Sequence, residues 1–363
     1  MYTFNNKRYL PPAALDDLIV KKNLYDYTSI LGYSVENRPI LVSSFGSGNR
    51  KVLLWSQMHG NESTTTRALI QLFSDLTLKK SSFLDNLSIK VIYQLNPDGS
   101  NKYSRFNANG IDLNRDAVKS TQPESKLLNS LFNVFKPHFC INLHDQRSIY
   151  AAGNTNLPAL ISFLAPSYNE SKSINEVRQI AMSMIGNIYK KIKPNKNWSV
   201  GRYNDDFNIN CFGDFFMSQN TPTILIEAGH HPNDFGRNLV VNEIYKCLSN
   251  FLNLFAHGIQ TKSNISTYLS IPENYNHLRD LEIINIRCLE GSSNKLFIQF
   301  YESLKRDKIY FFPKIEKESS KNLYGNRIID FSKYTDKSID LKQNNQKIIE
   351  KLKLFLDFDL FLK

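Results

Sequence analysis

Cysteine is scarce in this chain of 363 residues: Cys140, Cys211, Cys247 and Cys288 stand far apart, with no C-x-x-C pair. That spacing excludes a disulfide framework and a cysteine-built metal site, and leaves buried free thiols as the reading for most of them. Long apolar runs are absent as well. Stretches such as Val52 to Trp55 fall far short of the ~18 residues a membrane helix needs, so no membrane span is expected. Behind the basic residues Lys7 and Arg8 there is no apolar stretch, so no secretory leader is read and a cytoplasmic location is expected. Neither an internal repeat nor a low-complexity tract is present.

Charge is unbalanced but not concentrated. Forty-five Lys and Arg against 34 Asp and Glu give +11, which raises the question of a nucleic-acid partner or an anionic substrate. The lysines are scattered, and residues 342–363 mix them with Ile348, Ile349, Leu352 and Phe355 at helical spacing. That pattern predicts the solvated face of a terminal helix rather than a clamp on nucleic acid. What remains is a packed globular composition, 41% hydrophobic, 12% aromatic and 22% charged, which fits neither disorder nor a coiled coil. At roughly 100 to 200 residues per domain, the length allows two or three domains, or one large α/β unit with an appendage.

From Leu31 to about Phe255, strand-like and helix-like segments alternate, the mark of an α/β layer fold. Val52 to Trp55, Ser88 to Tyr93, Phe139 to Leu143 and Thr223 to Ile226 read as buried strands. Helices are predicted over Thr64 to Leu78, Glu124 to Phe135, Ile174 to Ile192 and Asn238 to Phe255. Three of the strands run into a polar residue at or near their ends, Asn96, His144 and Glu227, and the carboxyl edge of an open α/β sheet is where ligands bind. Beyond Lys262 the runs shorten and turn β-like, over Leu281 to Ile286, Leu296 to Phe300 and Lys308 to Phe312. Residues 1–262 are therefore read as one α/β domain and residues 263–363 as a small β-rich accessory domain with a closing helix, free of catalytic groups.

The chemistry begins at Met58-His59-Gly60-Asn61-Glu62, between a strand and a helix. A His and a Glu three apart can direct an imidazole nitrogen and a carboxylate at one ion, with Gly60 easing the turn. By itself the pair fits a surface histidine beside a helix-capping glutamate equally well. A third ligand is available in His144, again at the end of an apolar strand. Two His and one Glu leave the fourth position of a tetrahedral zinc open, the arrangement of a catalytic site. Glu227 ends a strand too apolar to hold an idle carboxylate, so it should face a polar cleft as a general base for water at the metal. A pairing with a nearby Arg or Lys is the alternative. His230 and His231 are assigned to the cleft wall. The segment from Asn96-Pro97-Asp98-Gly99 to Arg115-Asp116 is rich in Asn and Gly, hence a loop. It carries Arg105 and Arg115, and guanidinium groups beside a metal imply an anionic substrate terminus.

The ordered set His59-Gly60-Asn61-Glu62, Asn96-Pro97-Asp98-Gly99, Asn109-Gly110 with Asp112-Leu113-Asn114-Arg115, Leu143-His144 and Ile226-Glu227 resembles the zinc carboxypeptidase family of the carboxypeptidase A type. The lead-in from Leu31-Gly32-Tyr33-Ser34 through Asn37-Arg38-Pro39-Ile40 to Phe45-Gly46 is similar too, so the likeness covers about residues 30–257. It implies a three-layer α/β/α sandwich around a mixed, mostly parallel sheet. It also implies one zinc per chain on His59, Glu62 and His144, Glu227 as general base and acid, and Arg105 polarising the scissile carbonyl. Asn114 and Arg115 would hold the carboxylate of a peptide or peptide-like substrate, and Tyr203 matches the tyrosine that covers it. One departure is Asn61, where digestive members carry an Arg. Two other functions share parts of the pattern: an aspartoacylase-like deacylase of N-acyl amino acids, and a catalytically inactive module that binds carboxylated peptides. Oligomeric state is left open.

Overall fold

The computed structural model describes residues 8–79, 81–232, 234–258, 264–287, 293–316, 323–334, 339, 343–356 and 358. Fourteen strands appear among them: β1 Thr28–Tyr33, β2 Pro39–Phe45, β3 Arg50–Trp55, β4 Leu87–Ile92, β5 Phe139–Asp145, β6 Tyr150–Ala152, β7 Ala159–Leu164, β8 Ser199–Arg202, β9 Thr223–Ala228, β10 Asn274–Asn276, β11 Leu278–Arg287, β12 Ser293–Lys305, β13 Lys308–Glu316 and β14 Tyr324–Asp330. The helices are α1 Pro12–Lys21, α2 Thr64–Leu78, α3 Pro97–Lys102, α4 Pro123–Phe135, α5 Glu176–Tyr189, α6 Phe212–Ser218, α7 Asn238–Ala256, α8 Ile265–Leu269 and α9 Asn345–Lys353. No helix among the described residues is long and apolar enough to cross a membrane.

An eight-stranded sheet in the order β1-β2-β4-β3-β5-β9-β7-β8 forms the middle layer. The four strands β4, β3, β5 and β9 run parallel, and antiparallel pairings bring in β2 and β7 on either side. Alternation along each central strand feeds two cores. Val52 and Leu54 face a cluster with Leu69 and Phe73 of α2 and Phe251 of α7. Leu53 and Trp55 face another with Leu128 and Phe132 of α4 and Phe216 of α6. A sheet apolar on both faces must be covered on both, which yields the three-layer α/β/α sandwich expected from the sequence.

The Asn-rich segment is more ordered than the loop read from its composition. Pro97, at the first helical position, opens α3, and Asn96 Oδ1 accepts the Gly99 N–H at 2.8 Å as its cap. Asn96 Nδ2 donates to the Met58 carbonyl at 3.1 Å. A Cβ on Gly60 would lie 2.0 Å from the Gly99 carbonyl carbon. Only glycine lets these two segments touch, so part of both motifs serves packing. Wholly buried Asp98 accepts bonds from Ser34 Oγ, the Glu36 N–H and Arg38 Nη1 at 2.8, 2.9 and 2.6 Å.

A separate four-stranded sheet, β13-β12-β11-β14, follows. The closing helix expected from the sequence is α9, and its apolar face enters the core of this sheet. Ile348, Ile349 and Leu352 of α9 bury into this sheet's own core with Ile298 and Ile315. The α/β unit inserts Tyr9 and Phe235 into that core, and Arg8 Nη1 meets Glu302 at 2.7 Å. The Phe235 ring lies 5.3 Å from Phe311 and 6.0 Å from Phe300. A buried Phe contributes ~1.5 to 3 kcal/mol, so Phe235 helps to hold this sheet against the α/β unit. The predicted helical tail beyond 358 and Cys288 lie outside the described residues. Cys140 and Cys247 are buried free thiols, whereas Cys211 is half-buried beside Arg115.

Candidate functional site

Three parallel strands deliver the site. β3 leads into His59 and Glu62, β5 ends on His144-Asp145, and β9 ends on Glu227-Ala228. His144 and Glu227 are register partners across the β5/β9 ladder, so their side chains leave the sheet side by side. Asp145 ties β5 to the start of α2 by accepting bonds from the Thr64 N–H and hydroxyl.

His59, Glu62 and His144 are all buried, and their ligand atoms lie within 4.8 Å of one another. His59 Nδ1 is 2.8 Å from Glu62 Oε1, His144 Nδ1 is 2.8 Å from Glu62 Oε2, and the two Nδ1 atoms are 3.1 Å apart. Two ring nitrogens and a carboxylate aimed at one point need a cation or a proton between them. Donors bound at ~2.1 Å around a tetrahedral zinc stand ~3.4 Å apart, close to the separations seen, so the residues fit the ion. His59 Nε2 is set by Asp112 Oδ1 at 3.0 Å, the outer partner that fixes a ligating imidazole. Arg105 grips the other oxygen of Asp112 through Nε and Nη2 at 3.0 and 2.9 Å, and its Nη1 stands 3.6 Å from Glu62.

The carboxylates divide by environment. Against the opposing effect of burial, His59 and His144 hold Glu62 well below the usual range, and His59 with Arg105 does the same for Asp112. Burial opposes charge on His59 too, but Glu62 and Asp112 outweigh it and raise the imidazole to about 9. His144 is shifted down by burial. Glu227 moves the other way, pushed well up by burial and then by the Glu62 charge. Carboxylates with pKa values driven apart at one cleft are the raw material of acid–base work.

The cleft, about 480 Å³, is lined by Arg105, Asn114, Arg115, Tyr203 and Glu227 beside the three ligand candidates. Asn114 Oδ1 accepts the Phe212 N–H at 3.1 Å at the start of α6. Exposed Arg115 touches Cys211 Sγ at 3.1 Å through Nη1. Tyr203 packs edge-on to Tyr150 at 5.3 Å, and its hydroxyl is raised by burial and then by the Glu227 charge. His230 is in the wall, whereas His231 is not among the lining residues.

Other lining groups escaped the sequence reading. Arg237, buried, stands 3.5 Å from Asp145 and donates to the Gln146 and Ala228 carbonyls. The C-terminal sheet, read as remote from chemistry, contributes Asp280, Gln299, Phe300, Tyr301, Glu302 and Phe311 to the cleft. No local signal marks these residues, since only the docking of the second sheet brings them there.

Asp280 is 4% exposed, and burial raises its carboxyl to about 6 from an ordinary value of 3.8. A raised carboxyl favours the native state at low pH, and that advantage is lost as pH rises from about 4 through 6. Asp280→Asn should therefore match wild type near pH 4 and exceed it at pH 8, by up to ~3 kcal/mol. Urea unfolding at both pH values measures it, and an unchanged difference would contradict the shift.

A family model described as zinc carboxypeptidase matches residues 15–213, which takes in His59, Glu62 and His144 and ends before Glu227. The chain is similar to carboxypeptidase 2 of Trichophyton rubrum, 30% identical over 130 residues, covering 34% of this chain and 22% of that protein. It spans about a quarter of the length of the curated relatives it matches. Its fold is similar to a metallo-carboxypeptidase from Pseudomonas aeruginosa in complex with (2-guanidinoethylmercapto)succinic acid, with TM-score 0.51, 14% identity and coverage of 67% and 69% of the two chains. It is likewise similar to the carboxypeptidase A from Helicoverpa armigera, with TM-score 0.50, 17% identity and coverage of 69% and 73%. Since the matched segment exceeds half of its length and holds the convergent His-Glu-His group, this chain belongs to the zinc carboxypeptidase family.

Proposed function

We infer that the protein is a zinc-dependent metallocarboxypeptidase that hydrolyses a C-terminal peptide or amide bond, with one zinc per chain on His59, Glu62 and His144. The observation that supports it most is the convergence of those three buried side chains beside Glu227 in one cleft. When bound, zinc supplies a Lewis acid that polarises a carbonyl and makes a water acidic. Glu227 takes the proton of the attacking water on its carboxylate and hands it to the leaving nitrogen. Arg105, oriented by Asp112, donates to the carbonyl oxygen as negative charge develops there. Asn114 and Arg115 hold the free carboxylate of a peptide or peptide-like substrate, and Tyr203 covers it. Residues 1–262 form the catalytic unit. The sheet β11–β14 forms a second unit that walls the cleft, whereas α8 and β10, which precede it, pack with the α/β unit.

The direct test is hydrolysis of a panel of short peptides and N-acyl amino acids by metal-analysed protein. Release of C-terminal amino acids is expected, and cleavage of acyl-amino acids alone would shift the activity to a deacylase.

Zinc uptake should displace one proton near neutrality, because His59 carries one and Glu62 and His144 do not. Apparent affinity is then expected to rise roughly tenfold per pH unit between 6 and 8. Competition with a chelator across that range measures it, and a flat profile would contradict the raised His59 imidazole.

A further inference from the structure

The C-terminal sheet brings two buried acceptors to the cleft with nothing bound to them. Asp280, 4% exposed, uses Oδ2 for the Phe300 N–H at 2.7 Å and for Gln299 Nε2 at 2.5 Å, while its Oδ1 has no partner. Gln299, 2% exposed, is oriented by Nε2 donation to Asp280 and to Ser148 Oγ at 2.8 Å, which leaves Oε1 without a partner too. Both residues line the same cleft as the candidate zinc ligands. Among the described residues no cation is within ion-pair distance of Asp280; the Ser148 hydroxyl and the more distant Arg147 charge favour its carboxylate, and the exposed Arg147 guanidinium lies over the Tyr301 ring at 5.5 Å.

Unsatisfied buried acceptors carry a desolvation penalty that a donor from outside would remove. One of the two belongs to a carboxylate, so a cationic donor answers it better than a neutral one. Ser148, four residues past His144, links Gln299 to the strand that ends in the metal site, and Arg115 lies toward α6 beside Cys211.

We propose that Asp280 and Gln299 form an upstream subsite that binds an alkylammonium group of the substrate, so that the preferred substrates are short peptides carrying this cation on the amino-terminal side of the scissile bond. The assignment rests on the carboxypeptidase reading for its direction, not for its chemistry. The ammonium comes either from the free amino terminus of a tripeptide or from a basic side chain in a longer one.

Calorimetry on full-length, zinc-loaded Glu227→Gln protein tests it with trialanine against N-acetyl-trialanine, and with N-acetyl-Lys-Ala-Ala against its norleucine counterpart. At least one cationic probe should bind roughly tenfold or more tighter than its neutral partner, as a charge-assisted hydrogen bond implies. The first pair reports an amino-terminal source and the second a side-chain source. Asp280→Asn added to this background should erase the preference while circular dichroism confirms an intact fold. Equal affinities in both pairs, a preference that survives Asp280→Asn, or no binding by any probe would overturn the subsite. Hydrolysis of the same peptides by wild type separates the two readings. Turnover without any cation preference removes the subsite and keeps the function, whereas cation-selective binding without turnover keeps the subsite and removes the function.

Discussion

Glu227→Gln is expected to keep its zinc and lose roughly 10²- to 10⁴-fold in kcat, the usual contribution of a positioned general base and acid. The amide matches the carboxylate in shape but can neither accept a proton from water nor return it to the leaving nitrogen. Glu227 is the register partner of His144 and lines the cleft without being one of the three converging ligand groups. Zinc content should therefore stay near wild type, and that separates loss of chemistry from loss of metal. Metal analysis and kcat are measured on the same preparation. A kcat near wild type would remove Glu227 from the mechanism, and loss of zinc along with activity would reassign it to metal binding.

Replacing the substrate's terminal carboxylate by an amide should lower kcat/KM to a similar degree as Arg115→Ala acting on the acid. Arg115 is exposed, and among the described residues its hydrogen bonds go to the Asn114 carbonyl and Cys211 Sγ, both through Nη1. A planar fork on a carboxylate makes two charge-assisted bonds. Once the bound substrate has closed this pair off from water, leaving such a charge unpaired costs ~2 to 5 kcal/mol, or roughly 30- to several-thousand-fold in kcat/KM. Arg115→Lys should restore part of it, because a point charge lacks the paired geometry. Amide and acid turned over equally would show that Arg115 anchors no terminal carboxylate, and the exopeptidase reading would yield to an endo-acting amidase.

The elements most legible in the chain were those whose stability is local or carried by strong apolar periodicity. Helix α2 spans the predicted Thr64–Leu78, and α7 differs from its prediction by a single residue at one end. Strands β3, β5 and β9 are apolar enough to be read as buried, although β5 and β9 run further, through His144-Asp145 and Glu227-Ala228. Strand β8 gave no such signal. It is four residues long and contains Gly201, where a Cβ would collide with Asn274 Oδ1 at 1.8 Å. It is a strand because β7 pairs with it, and pairing partners far apart in sequence are invisible to a local pattern. The helix α3 was hidden for the opposite reason, since Asn, Pro and Gly are turn formers until a cap and a packed glycine contact hold them helical.

Sequence alone determined the layered α/β architecture and the short list of residues able to ligate a metal, because burial periodicity and ligand chemistry are properties of side-chain type and spacing. Tertiary structure decided which of these residues meet. Parallel registry sets His144 beside Glu227, and Asp112 joins His59 to Arg105 across 53 residues of chain. It decided as well that the second sheet walls the cleft, because Phe235 and Tyr9 complete that sheet's core and carry Asp280 and Gln299 in with it. Contacts of this kind gain their energy only once two distant surfaces have closed and water has left, and no window along the chain records that event.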